Sequence, residues 1–206
     1  MKLLIDTDAF CKLAICDLLE AAVDELGGNL RTCGRLPALP YMLQRGKLPT
    51  KYGASTCSTL ESIANRMPVV HSTNGSILDQ FLQVNEIDAG EALLFAQSIE
   101  GEIPLITGDK RALLALKKVN GIAALLSNRI VTLEAILLAL CNTHSPTTIH
   151  SNITPHTSVD KVFRICFPAR TIDPTPCLQS YFSDISNAVS PIHLWEPIAL
   201  EESDEL

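Results

Sequence analysis

Apolar and polar positions alternate along this chain with two different periods. Leu3, Leu4 and Ile5 form a short unbroken apolar run that stops at Asp6, the pattern of a strand covered on both faces. From Phe10 to Leu26 the apolar residues return at helical spacing, through Leu13, Ala14, Leu18, Ala21 and Ala22, and stop at Gly27-Gly28, which predicts one helix. Asn29 to Lys51 is broken by Pro37, Pro40, Gly46 and Pro49, with a short helical piece expected over Leu39 to Gln44. A helix capped by Ser or Thr is predicted over Ser55 to Arg66, a brief strand over Met67 to His71, and helices over Ser76 to Val84 and Asp88 to Ile99. A second apolar strand, Ile103 to Thr107, runs into Asp109. A helix over Lys110 to Val119, a strand over Ile130 to Leu133 and a closing helix over Glu134 to Cys141 follow.

Strand and helix patterns in alternation indicate an α/β fold with a central, mostly parallel sheet. It occupies residues 1–142. Asn142 to Ser158 is rich in Thr, Ser, His, Asn and Pro without apolar periodicity, so 143–158 reads as a linker. In the C-terminal extension, 159–206, VFRICF looks like a strand, Cys177 to Val189 like an amphipathic helix and EESDEL like a solvated acidic end. So short a segment makes a weak core of its own. It is expected to dock on the main domain or on a partner, with Trp195 and the Phe residues as anchors.

Composition narrows the class. The 206 residues carry a formal net charge of -7, which argues against nonspecific nucleic-acid binding by the whole surface. The charge is uneven: 13 basic and 15 acidic residues lie through Thr143, and 3 and 8 beyond it. Any nucleic-acid surface therefore belongs to the first part. The apolar stretch from Ile122 to Cys141 is interrupted by Asn128, Arg129 and Glu134, against a membrane span, and the N-terminal LLI is too short for a secretory h-region. Seven cysteines without a CxxC pair fit reduced, mostly buried thiols, and a cytoplasmic protein is expected. Cys141 and His144 form a lone CxxH, better explained as helix-end residues than as zinc ligands. The final SDEL resembles an ER-retrieval signal only superficially.

The chemistry lies in the acids. In open parallel sheets, ligands bind beyond the carboxyl ends of the strands, and both strong strand patterns end on an acid, Asp6 and Asp109. A third acid, Glu91, begins the helix in IDAGEALLFAQ beside Ala89, Gly90 and Ala92, whose small size permits close backbone approach. Three carboxylates meeting at one crevice repel one another unless a cation joins them. Their oxygens suit Mg²⁺ or Mn²⁺.

LLIDTDAF, IDAGEALLFAQ and PLITGDKRAL, in this order, resemble the signature stretches of PIN-domain nucleases over residues 1–142. The resemblance implies a three-layer α/β/α fold, divalent-metal-dependent cleavage of single-stranded RNA leaving 5′-phosphate and 3′-hydroxyl ends, and frequent homodimers. It matches Asp6, Glu91 and Asp109 to the metal-binding catalytic acids and Thr107 to the hydroxyl residue before the last of them. Asp8 stands where Asn or Ser is common, and either adds a fourth metal-site charge or caps the first helix. Lys110 and Arg111 stand where many members carry another acid, which puts a second metal in doubt.

Each of these residues also has an ordinary role open to it. Asp88 with Glu91 has the form of a capping box. Arg31, Arg35, Arg45, Lys47 and Lys51, interleaved with Tyr41 and Tyr52, form either a phosphate-tracking rim or solvated loop charge. Lys110 and Arg111 either steady a scissile phosphate or lie on a helix face, and Arg45, Lys47 and Thr107 join them as expected substrate contacts. Two other classes remain: a catalytically silent PIN-like module that binds an inhibitory or scaffold partner, and an aspartyl-phosphate phosphatase of the haloacid dehalogenase type. The phosphatase fits DTD but fails at Phe10 and Leu113. The acidic extension could also cover the basic rim and restrain activity.

Overall fold

A computed structural model of the chain describes residues 1–71, 75–119, 121–170 and 173–197. The elements run β1 (Leu3–Ile5), α1 (Thr7–Ile15), α2 (Leu19–Glu25), β2 (Cys33–Gly34), α3 (Leu39–Gln44), α4 (Lys47–Tyr52), α5 (Ala54–Ala64), α6 (Gly75–Leu82), α7 (Ala89–Gly101), β3 (Leu105–Thr107) and α8 (Lys110–Ala115). After a 3₁₀ turn at Leu116–Lys118 come α9 (Ile122–Leu126), β4 (Ile130–Thr132), α10 (Leu133–Thr143), α11 (Pro146–Ile153), α12 (Lys161–Cys166) and α13 (Thr175–Val189).

The four strands pair in parallel in the order β2-β1-β3-β4. From β1 the chain moves outward to β2, then crosses back over β1 to β3. Right-handed crossovers in opposite directions place helices on opposite faces of a sheet. Accordingly α2 packs against α1 and α10, whereas α7 packs against β1, β3 and α9. The result is the expected α/β/α sandwich with a parallel sheet. Its strands are buried on both faces, which is why they are so apolar.

Several local expectations are corrected. The helix predicted over Phe10 to Leu26 is two, broken at Asp17, whose φ is 54°. Asp tolerates the left-handed region better than most residues, and the break turns Leu18 and Leu19 both inward. The helix expected from Ser55 is capped by Gly53, without a Ser or Thr side chain. Met67 to His71 forms one bridge, Arg35 with Val69, instead of a strand. Before the C-terminal segment three elements, β2, α4 and α9, have no counterpart in the sequence pattern.

The C-terminal segment departs most. Residues expected to be linker contain α11, which starts on Pro146, a favoured first-turn residue, and buries Ile149, His150 and Ile153. VFRICF is helical, because Asp160 accepts from the Val162 and Phe163 N–H groups and the buried residues Val162, Phe163, Cys166 and Phe167 follow a period of three to four. This helix and α13 pack together, and α13 lies along α10 and α8. Beyond α13 the chain closes the edge of the sheet at β4: the Trp195 N–H donates to the Ile130 carbonyl at 2.8 Å and the Asn128 N–H to that of His193 at 2.7 Å. One hydrophobic core therefore runs from Leu3 to Leu194. The acidic end, 201–206, lies outside the described residues. Among the described residues no helix is long and apolar enough to cross a membrane.

Phe163 is fully buried in the core that this segment shares with the sandwich. Phe163→Ala is expected to cost about 3–5 kcal/mol. Urea unfolding followed by both circular dichroism and Trp195 fluorescence should show one coincident transition at lower denaturant, whereas an independent extension would unfold separately.

Candidate metal centre

Strand order reverses between β1 and β3, and the crevice opens at their carboxyl ends. Asp6 follows β1 directly and Asp109 follows β3 by one glycine, so adjacent strands deliver these two acids. The first residues of α7 bring the third. Asp6, Asp8, Asp88, Glu91 and Asp109 line a single cleft of about 540 Å³, with Leu36, Met42, Leu48 and Leu94 among its apolar walls. Gly90 lets the start of α7 approach Leu36 closely: a Cβ on it would stand 2.8 Å from Leu36 Cδ1, and that side chain would have to shift.

The acids are fixed because each begins a helix. Asp6 Oδ1 accepts from the Ala9 N–H at 2.6 Å, so Asp6, and not Asp8, caps α1. Asp88 Oδ1 accepts from the Glu91 N–H at 2.8 Å while Glu91 Oε2 accepts from the Asp88 N–H at 2.7 Å, a complete capping box. Asp109 Oδ1 accepts from the Ala112 N–H at 3.0 Å and caps α8. Capping and clustering are thus compatible, since a cap uses one carboxylate oxygen and the helix N-terminus favours the negative charge.

Their remaining oxygens differ. Asp6 Oδ2 accepts from the Thr107 hydroxyl and from the Gly108 N–H at 3.1 Å. Glu91 Oε1 and Asp109 Oδ2 face the Nη2 of Arg111, at 3.7 and 3.5 Å. Burial pushes Asp6 up to about 6, against the hydrogen bonds from Thr107 and Ala9, which lower it. Burial also raises Glu91 to about 7, assisted by the charges of Asp88 and Asp109 and opposed by the Asp88 N–H. Both carboxylates are thus less comfortable as anions than in water.

The other expected site residues sit as follows. Asp8 pairs with Lys12 and with Lys51, the latter at 3.4 Å. Thr107 is only 3 % exposed and positions Asp6, out of reach of a substrate. Lys110 turns away from the acids: it pairs with the buried Glu134 at 2.8 Å and lies over the Tyr181 ring, in a separate pocket of about 240 Å³. Arg45, which lies over the Tyr41 ring, and Lys47 are exposed on α3–α4, outside the cleft lining. Of the supposed basic rim, Arg35 is buried, its Nε donating to the Ala64 carbonyl at 2.6 Å, and Arg31 belongs to a different surface pocket with Glu20 and Arg66. Lys51 is its member that reaches the cleft acids, through Asp8.

Two features escaped the sequence reading. Lys12 is buried between Asp8 and Asp160, so the C-terminal segment supplies a counter-ion behind the crevice. The Asp8–Lys12 spacing of four signalled half of this. Burial disfavours the Lys12 charge, but Asp8 and Asp160 outweigh it and raise the ammonium; Lys12 in turn holds Asp160 low against its own burial. The second feature is Arg111 as the cation facing Glu91 and Asp109. All seven cysteines are free, and burial pushes the Cys11, Cys16, Cys33 and Cys141 thiols up to about 12, which leaves them poor ligands.

Among the described residues, no group of three or more His, Cys, Asp or Glu is gathered closely enough to hold a metal ion. A Mg²⁺-like ion needs fewer protein ligands, since it usually keeps several waters and binds through one or two carboxylates. The Glu91–Asp109 pair fits that requirement: its donors are oxygens, and a guanidinium already faces one oxygen of each as a stand-in cation. Thr7, also lining the cleft, has a buried hydroxyl without a hydrogen-bond partner, the kind of atom that a bound water satisfies. Comparison of the chain with protein-family models, with curated proteins and with solved structures finds no match.

The raised Asp6 gives the fold a defined pH response. A carboxyl whose folded pKa lies above its unfolded value contributes stability that is complete below about 3.8 and is lost as pH rises through about 6. In EDTA the melting temperature should therefore rise on acidification from about pH 7.5 to about pH 5, a window in which Asp160, held low, does not titrate. The Asp6 contribution is ~3 kcal/mol at most. Glu91, raised to about 7, adds to the same response, so Asp6→Asn should reduce the rise without removing it, and calorimetric melts across that range check it.

Proposed function

We propose that this protein is a cytoplasmic, divalent-metal-dependent endoribonuclease of the PIN type, acting on single-stranded RNA. The observation that carries the reading is the convergence of Asp6, Glu91 and Asp109, from residues far apart in sequence, on one cleft at the switch point of a parallel sheet. Glu91 and Asp109 would hold Mg²⁺ or Mn²⁺ through Oε1 and Oδ2, the oxygens not used by their caps. A divalent ion bound there supplies water of lowered pKa and offsets charge on a phosphodiester.

The chain's own groups do the rest. Thr107, Gly108 and Ala9 hold the Asp6 carboxylate in one orientation. With Glu91 engaged in holding the ion, Asp6, pushed up to about 6 by burial, is the carboxylate suited to receive a proton from the attacking water close to neutral pH. Met42 and Leu48 give the cleft an apolar wall against which a base could lie.

A second reading, a catalytically silent module, draws on the pairing of Arg111 with two of the acids and on the lack of a three-ligand group. Labelled single-stranded RNA separates the two. The nuclease reading expects cleavage with Mn²⁺ or Mg²⁺, none in EDTA, and a loss of about 10²-fold or more in Asp6→Asn at unchanged fold. Cleavage by Asp6→Asn at the original rate would remove the reading, and calorimetry showing no heat of Mn²⁺ binding would favour the silent module.

A further inference from the structure

We propose that Arg111 is a tethered cation that holds the Glu91–Asp109 pair until a divalent ion replaces it, so that this side chain sets the metal affinity of the site. The inference rests on the metal-dependent reading above and assigns a role within it that neither motif nor spacing suggests.

The geometry is specific at the level of single atoms. One nitrogen, Nη2, faces both Glu91 Oε1 and Asp109 Oδ2, at 3.7 and 3.5 Å. These are the two oxygens that the helix caps leave free, because Oε2 and Oδ1 are occupied by the Asp88 and Ala112 N–H groups. A Mg²⁺-like ion needs its carboxylate oxygens at about 2.0–2.1 Å. It would therefore compete for the same two atoms and repel the guanidinium that faces them.

The contact is also built to release. Both separations exceed ordinary hydrogen-bond length, and the Arg111 side chain is 63 % exposed, against 14 % for Glu91 and 35 % for Asp109. An exposed ion pair of this kind is weak, so it eases the repulsion of two crowded acids without locking them. The neighbouring cations are committed elsewhere: Lys110 to Glu134 and Tyr181, Lys12 to Asp8 and Asp160, Lys51 to Asp8. Once displaced, the flexible Arg111 side chain keeps its fork of donors beside the crevice, where a phosphodiester could take it bidentately.

Manganese titration calorimetry on the full-length protein, wild type against Arg111→Gln, tests this without reference to activity. The variant should bind Mn²⁺ about fivefold or more tightly, as for two cations that exclude one another. In EDTA its melting temperature should fall, and added Mn²⁺ should raise it by more than in the wild type. Equal or weaker Mn²⁺ binding by Arg111→Gln, with circular dichroism unchanged, would overturn the role of Arg111 and leave the metal site standing. Absence of Mn²⁺ binding in both proteins would overturn both.

Discussion

Carboxylates at the N-termini of helices are the constraint from which the rest of this structure follows. A strand that ends on an acid can pass directly into a helix if that acid caps it, and Asp6 and Asp109 do so after two neighbouring parallel strands. The fold then has no freedom to separate them. Glu91 enters through the capping box of α7, which packs on both strands. Local capping, worth about 1 kcal/mol for each helix, and sheet topology together concentrate negative charge in one cleft. Burial of that charge is the cost of the arrangement, seen in the upward shifts of Asp6 and Glu91, which desolvation drives first and neighbouring acids assist.

Cations of the chain offset part of that cost in two places. Behind the crevice, Lys12 is buried between Asp8 and Asp160, which ties the C-terminal segment to the first helix. Removing one member of such a buried set leaves an uncompensated charge, so the segment is held by electrostatics as well as by Phe163 and Phe167. In front, Arg111 touches Glu91 and Asp109 only loosely and from solvent. The buried cation is structural, whereas the exposed one is exchangeable, and the difference lies in desolvation.

Much of this was legible in the chain, for reasons that can be named. The strands Leu3–Ile5 and Leu105–Thr107 stood out because parallel strands are apolar on both faces, and both end near an acid. The α/β class and the placing of Asp6 and Asp109 at neighbouring strand ends followed from that pattern. What stayed hidden was of two kinds. Elements as short as Cys33–Gly34 carry no period to detect, and the helical spacing of Val162, Phe163, Cys166 and Phe167 was masked by the β-forming character of the run. The direction of long side chains was equally hidden: Lys110 and Arg111 are adjacent in sequence but reach different partners, Glu134 and Glu91, and Arg35, apparently part of a basic rim, donates to the Ala64 carbonyl inside the core.

The central claim is that the free oxygens of Glu91 and Asp109 form the seat of a hard divalent ion. A crystal structure from Mn²⁺-soaked crystals, with anomalous diffraction data, tests it most directly. The account predicts an anomalous peak in contact with Glu91 Oε1 and Asp109 Oδ2, with Arg111 withdrawn. A map without such a peak, in which Arg111 still faces both carboxylates at high manganese, would contradict it.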